Sequence, residues 1–356
     1  EFTNRTYDSS HNITNQMILT YDEKSGTLLD VQEVRSLNGF SRSGVANEQV
    51  IATYSDINKT LLIDLKVITN TGISLSGNVD TSTITRYDAA SIDTADPDLA
   101  ISYLDTDAID QQVIHTTSFD LRGNALVQEV TKLYYDDRIT HLFIFSEAQT
   151  ITNSPFDFHD RTSEAIIRSY SKAEFTSANF LEMQDIKYIG YDKFGNVENQ
   201  TIDAYTTVNV DVSGFIDHKR IVNAYGDVVA QRRGNATVTT VTKYNSLTET
   251  TPNEIDRTVT TTSSFLNGYA VDQVMDTFVV DRIGNAGELL AGQKVIHNVD
   301  INNRGDSLSQ EITSYATDAS GALIPEPVTY QLLTNRTFDG DHNITNQMIL
   351  TYDEKS

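Results

Sequence analysis

Carboxylates are the most abundant groups in this chain that could do chemistry, and two sets lie close enough together to suggest oxygen ligands for calcium. Asp93, Asp96 and Asp98 form one, continued by Asp105, Asp107 and Asp110; Asp339 and Asp341, beside Asn343, form the other. Neither has the full spacing of a calcium loop, in which oxygens recur at alternate positions and end on a glutamate. The second also has an earlier copy in which Ser10 stands where Asp341 does. Both read as solvated acidic loops. No cofactor is expected, calcium being the one ion that so acidic a chain would gain from holding.

The other chemical candidates are isolated. His115, His141, His159, His218 and His297 have no second histidine or glutamate at metal-ligand spacing, and His11 and His342 are two copies of one position. Gly39-Phe40-Ser41-Arg42-Ser43-Gly44 resembles a nucleophile elbow, but its second glycine comes one position late, so it reads as a loop. A pair of carboxylates acting on polysaccharide would need two acids placed together, and no such pair can be assigned. The expectation is that the chain is not an enzyme. Arg304-Gly305-Asp306 spells an adhesion tripeptide, although its Gly and Asp also belong to a turn motif. Sequons begin at Asn4, Asn12, Asn58, Asn199, Asn235, Asn335 and Asn343 and could accept glycans.

Composition removes several functional classes. The 356 residues carry 50 acidic and 26 basic side chains, a formal net charge of -24, which repels a phosphate backbone; no nucleic-acid partner is expected. With no cysteine there is no disulfide framework, thiolate metal site or cysteine nucleophile. The longest apolar runs, such as Leu142-Phe143-Ile144-Phe145, fall far short of the roughly 20 residues of a membrane helix, so no membrane insertion is expected.

The elements that carry these residues read as strands. Threonine-rich runs such as Thr258-Val259-Thr260-Thr261-Thr262 suit a pleated, half-exposed surface. A short motif, Asp/Asn-x-x-Gly/His-Asn/Asp-x-x-x-Gln, recurs at Asp120, Gly123, Asn124 and Gln128; at Asp192, Gly195, Asn196 and Gln200; at Asn223, Gly226, Asp227 and Gln231; and at Asn302, Gly305, Asp306 and Gln310. It recurs again at Asp339, His342, Asn343 and Gln347, repeating Asp8, His11, Asn12 and Gln16, with degenerate copies at Asp281 and Gly284, Asp318 and Gly321, Gly77-Asn78 and Gly234-Asn235. The first Asp or Asn can fold back onto amides ahead of it, and the Gly slot suits a left-handed residue that closes a hairpin loop. Turn signals about every 17 residues leave strands of roughly a dozen residues. Alternation over 202–212 points to a sheet with one buried face. Residues 91–112 and 163–179 fit this rhythm poorly and read as short helices or surface excursions. The glutamine slot reads as a polar, solvent-facing position, with an amide ladder along the sheet as the alternative.

A longer repeat lies above the short one. Residues 3–25 return as residues 334–356 with 20 of 23 positions identical, a shift of 331. The chain therefore reads as one unit, 3–333, built of about eighteen strand-turn subrepeats, followed at 334–356 by the start of the next. The expected fold is all-β, a continuous antiparallel hairpin meander wound into a tube or two-layer fibre, with a parallel β-solenoid as the alternative.

The aromatic-Asp-x-x-Gly-Asn turns at Tyr191-Asp192-Lys193-Phe194-Gly195-Asn196 and Phe119-Asp120-Leu121-Arg122-Gly123-Asn124 resemble the YD repeats of Rhs-type bacterial proteins. The resemblance implies β-hairpins that wind into a large sheet wall. The two-level organisation is similar to very large tandem-repeat bacterial surface proteins. The chain departs from the pattern in its glutamine slot, in its degenerate turns and in carrying no recognisable toxin or self-cleaving segment, so the resemblance implies architecture rather than activity. The expected function is a structural repeat of a giant acidic extracellular or cell-surface filament. Its partners would be neighbouring repeats and copies beside it; the alternative is an adhesin that binds a surface, glycan or receptor through hairpin tips or acidic loops.

Overall fold

The computed structural model describes all residues except 23, 94, 95, 97, 98, 138, 283–286, 340, 341 and 354–356. It divides into two units: Glu1–Phe156 with Ile167–Leu181 and Asp339–Asn343, and Asp157–Ile166 with Glu182–Phe338 and Ile344–Ser356.

The first unit is a run of strands: β1 Phe2–Tyr7, β2 Ile13–Tyr21, β3 Leu28–Phe40, β4 Ala46–Tyr54, β5 Leu62–Thr71, β6 Thr81–Tyr87, β7 Ser91–Ile92, β8 Ile101–Ser102, β9 Ala108–Phe119, β10 Ala125–Tyr135 and β11 Phe143–Asn153. Strands β1 to β6 pair each with the next, all antiparallel; β6 pairs with β9, and β9 to β11 continue the meander. Among the described residues the two-residue strands β7 and β8 pair only with each other, so the excursion expected from residue 91 is a small hairpin followed by a 3-10 turn at Asp105–Asp107. Strand β12, Glu164–Tyr170, contributes residues to both units, which corrects the reading of 163–179 as lacking strand structure; the excursion is confined to the residues after Tyr170.

The second unit continues with β13 Phe180–Tyr191, β14 Val197–Tyr205, β15 Phe215–Ala224, helix α1 Val228–Arg232, β16 Val238–Tyr244, β17 Glu254–Leu266, β18 Tyr269–Val280, β19 Glu288–Ile301, β20 Ser307–Thr317, β21 Leu323–Phe338 and β22 Ile344–Tyr352. From β13 to β22 each strand pairs antiparallel with the next. Consecutive antiparallel pairing excludes the parallel solenoid, whose strands would pair in parallel at a fixed coil spacing. The alternation over 202–212 stops being strand after Tyr205: Thr206 N donates to Gly214 O, and Thr207 lies so close over Gly214 that a β-carbon there would meet its hydroxyl at 2.4 Å. Period-two spacing alone could not separate a strand from this loop.

The core follows the strand register. Val31 lies opposite Tyr54, Ala52 opposite Leu65 and Leu65 opposite Tyr87, and these residues with Val50 form the buried cluster of the first unit. In the second unit Met183 lies opposite Tyr205, whose ring meets Phe215 edge-on at 5.9 Å. Alternate positions along each strand supply this layer, as the pleat requires. Among the described residues no helix is long and apolar enough to cross a membrane.

Candidate functional site

The repeated turn has one geometry in both units. At Asp192 one carboxylate oxygen accepts the amides of Phe194 and Asn196, both at 2.8 Å, and the other accepts Asn196 Nδ2 at 2.8 Å. Asp192 N donates to Asn196 O and Gly195 N to Asp192 O, with Gly195 at φ +88°. Asp120 repeats the set through Arg122, Gly123 and Asn124, and Asp8 does so with His11 at φ 67° in the glycine slot; Asp339 accepts the amide and Nδ2 of Asn343, with His342 at φ 64° in that slot. At Asn302 the roles reverse: Asn302 Nδ2 donates to Asp306 Oδ2, so the turn again holds one carboxylate and one amide. Ser41 and Ser74 supply a hydroxyl in place of the carboxylate, which assigns the elbow-like segment to a hairpin loop.

At Asp8, Asp120, Asp157 and Asp192 these bonds favour the charged carboxylate. The Asn12 side chain lowers the Asp8 pKa, and the Arg161 guanidinium brings Asp157, which has the same turn, down to about 2. At Asp120 burial pushes the carboxyl up, but the Asn124 backbone and side chain and the Arg122 amide outweigh it. Asp281 N closes on Gly287 O, whereas Gly284 lies outside the described residues.

The copy at Gly226 is a correction. Gly226 lacks the positive φ of the hairpin glycines, and Asp227 caps α1 by accepting Ala230 N at 2.7 Å. Gly234, at φ +80°, ends the helix, its amide reaching Gln231 O while Asn235 N reaches Ala230 O. The segment has the N-cap and C-terminal glycine of a helix as well as the spacing of the turn, and the helix prevails. Gln231 therefore sits on α1, where its side chain donates to Asp192 Oδ2 at 2.9 Å and its carbonyl accepts Asn196 Nδ2 at 2.6 Å, clamping the neighbouring turn.

The register does not bring the glutamines together as the alternative of a ladder requires. Gln16 faces Asn4 and Val34, Gln128 faces Thr116 and Ile151, Gln200 faces Tyr188 and Ile221, and Gln310 faces Asn298 and Leu333. Gln347 falls in a register irregularity of β22. In a meander the same slot of successive hairpins recurs on every second strand, about 10 Å apart, beyond side-chain amide contact. Instead Gln16 donates to Asn4 Oδ1 at 2.6 Å and Gln310 to Asn298 Oδ1 at 2.7 Å, bonds within one hairpin.

Other predicted sites lie apart. Among the described residues no three His, Asp or Glu side chains gather as a metal site. Asp93 and Asp96 lie in the loop between β7 and β8, Asp339 is committed to its turn, and Asp98 and Asp341 lie outside the described residues. Asp306 of the adhesion-like tripeptide is 4% exposed and bonded inside its own hairpin. Of the sequon asparagines, Asn4, Asn58 and Asn335 are exposed; Nδ2 of Asn12, Asn235 and Asn343 is already bonded, and Asn199 Oδ1 is buried.

The sequence reading missed ionic clusters on the buried face. Glu33, fully buried, receives Arg5 Nη1 at 2.6 Å and Nη2 at 2.8 Å, Arg35 Nη1 at 2.9 Å, and Lys59 Nζ. Burial raises the Glu33 pKa, but the bonds from Arg5, Lys59 and Arg35 outweigh it and bring it down to about 2. Asp185, Asp203, His218 and Tyr244 lie opposite one another across β13 to β16, with His218 Nδ1 at 2.5 Å from Asp203 Oδ1 and Nε2 at 3.3 Å from Glu249 Oε1. A signal existed: Leu29, Val31, Glu33 and Arg35 share one parity, so the face that buries the first two must bury the charges.

A third cluster gives a pH prediction. Arg257 pairs with both oxygens of Glu288, leaving buried Glu254 against Glu288; desolvation first, then that neighbour, push Glu254 up to about 7. Its folded pKa lies above the unfolded one, so its contribution is complete below about pH 4.5 and is lost as pH rises through about 7. Between about pH 5 and 8 this group should cost on the order of 1–2 kcal/mol, or about 2–8 °C in thermal midpoint. Glu254→Gln should flatten that slope; an unchanged slope would refute the assignment.

No family model matches the chain, and no curated protein matches it. Among solved structures, TcdB2-TccC3 is matched over 99% of this chain and 25% of that chain, at 10% identity and a TM-score of 0.21. A form without the hypervariable C-terminal region is matched over 95% and 20%, at 11% identity and a TM-score of 0.17. The Photorhabdus luminescens Tc holotoxin pore is matched over 96% and 21%, at 13% identity and a TM-score of 0.14. The chain spans a quarter or less of the length of these structures, and likeness at this level carries no argument about function.

Proposed function

We propose that this chain is one repeat of a non-enzymatic, extracellular structural β-protein, a fibre whose successive copies join strand to strand. One observation carries the reading: the 23-residue segment that opens the unit returns directly after it with 20 positions identical, and each copy sits in half of one context. Residues 3–21 form the β1–β2 hairpin, which β3 continues; residues 334–352 form the end of β21 and β22, which β20 precedes. Overlaying the two copies gives an uninterrupted order of β20, β21, β22 and then a strand like β3. The hairpin turns at Asp8, Asp120, Asp157 and Asp192 are each locked by side chain-to-backbone bonds, and the high negative charge supports keeping such fibres apart. The adhesin reading has less support, since the Arg304-Gly305-Asp306 carboxylate is buried. The YD-type turns support kinship with hairpin-repeat walls in architecture.

The test is electron microscopy of chains holding two, three and four copies of the 331-residue unit. Rods whose length grows by a constant step support the reading. Separate beads at variable spacing count against it.

A further inference from the structure

The two copies of the repeated segment differ in what covers them. In the first, β2 is paired on both sides, and Asn15 is 2% exposed. In the second, β22 pairs with β21 alone among the described residues, and Ile344, Met348, Ile349, Leu350 and Tyr352 are 38–48% exposed. A strand edge with free amides and an apolar face is a template for another strand.

The cations differ in the same way. Arg5 closes both ends of its guanidinium on Glu33, which β3 supplies. Arg336 is the same residue 331 positions later. It is 9% exposed, its Nη1 donates to Ser307 O at 3.0 Å, and its Nε is buried without an acceptor. Burial lowers its pKa, Asp306 opposing only in part. Among the described residues no strand stands beside β22 as β3 stands beside β2 to bring Arg5 its carboxylate.

We propose that the open edge of β22 is the seat for a β3 strand from a second copy of this sequence, and that Glu33 of that strand closes on Arg336 as it closes on Arg5. In the register that β3 takes against β2, Glu33 would lie opposite Met348, as it lies opposite Met17. Arg35 would lie opposite Asn346, as it lies opposite Asn15. The repeat boundary is then latched by one carboxylate shared among cations from both copies. This deepens the structural reading proposed above and rests on it.

The probe is a peptide of residues 26–60, which holds β3, β4 and Lys59, added to the full chain. Hydrogen exchange should show protection of the 344–352 amides, and binding should weaken at least tenfold when the peptide carries Glu33→Gln. A full chain with Arg336→Glu should lose the unaltered peptide and recover binding to a Glu33→Arg peptide. No protection of 344–352 overturns the seat; equal binding by the Glu33→Gln peptide overturns the latch. If tandem chains form regular rods while the Glu33→Gln peptide binds unchanged, only the latch fails. If the latch holds and the tandem chains form beads, only the fibre reading fails.

Discussion

Glu33→Ala should be among the most destabilising single changes in the first unit, lowering its stability by about 3–5 kcal/mol and its thermal midpoint by roughly 6–20 °C. The carboxylate is wholly buried, and removing it leaves Arg5, Arg35 and Lys59 facing one another without their counter-charge. Arg35 keeps two bonds to Leu99 O at 3.0 and 2.8 Å and one to Val34 O at 3.0 Å, and Arg5 keeps one to Asn15 Oδ1 at 2.8 Å, but none of these acceptors carries a charge. The loss should reflect uncompensated charge more than lost volume, so adding Arg5→Met and Lys59→Met to Glu33→Ala should recover a large share of it. The pH dependence gives a second readout. With a folded pKa of about 2, below the unfolded value, the Glu33 contribution is present above about pH 4.5 and is lost as pH falls through about 2. The parent chain should therefore lose midpoint in acid more steeply than the variant. A variant within about 1 kcal/mol of the parent at neutral pH would remove the cluster from the account of stability.

The turns were the most legible part of the fold, because their grammar is local. An Asp or Asn that bonds the amides ahead of it, with a left-handed residue before the final Asn or Asp, needs nothing from elsewhere in the chain. The strands followed from the spaces between turns, and their antiparallel order from turns too short for a crossover. Where two local codes overlapped, as from Asn223 to Asn235, the spacing of the turn hid a helix whose cap and terminating glycine were both in the sequence. The glutamine slot shows the reverse case: a repeat in sequence need not be a contact in space, since register puts each glutamine opposite a different residue. The ionic clusters were legible only by carrying strand parity from Leu29 and Val31 through to Glu33 and Arg35, against the usual rule that charge points outward. Their partners, such as Lys59 for Glu33, depend on long-range register that no local pattern encodes.

Gly305→Ala should cost about 2–5 kcal/mol, whereas Gly195→Ala, at the same slot of the same turn motif, should cost only about 1–2 kcal/mol. Both glycines have positive φ, +94° at Gly305 and +88° at Gly195, so both substitutions pay the left-handed backbone strain. They differ in what a β-carbon would meet. At Gly195 nothing lies within 4 Å; at Gly305 the Tyr269 ring lies 2.2 and 2.3 Å from the added atom. The ring cannot simply swing aside. Tyr269 Oη donates to Asn303 O at 3.0 Å, and the Arg233 guanidinium lies over its face at 5.0 Å. Gly305 therefore serves two purposes, a left-handed turn and a close approach to the tip of a neighbouring hairpin. The first unit shows related spacing: His11, Gly44 and Gly77 are left-handed slots separated by two steps of 33 residues, and a β-carbon on Gly44 would touch Asn12 at 3.7 Å. Turns on one edge of the sheet thus rest on one another as well as closing their own strands. Urea denaturation of Gly305→Ala alone and with Tyr269→Ser separates the two effects. The second change should return the Gly305→Ala penalty to about that of Gly195→Ala, because only backbone strain then remains. An equal penalty with and without the ring would show that the contact between tips contributes nothing.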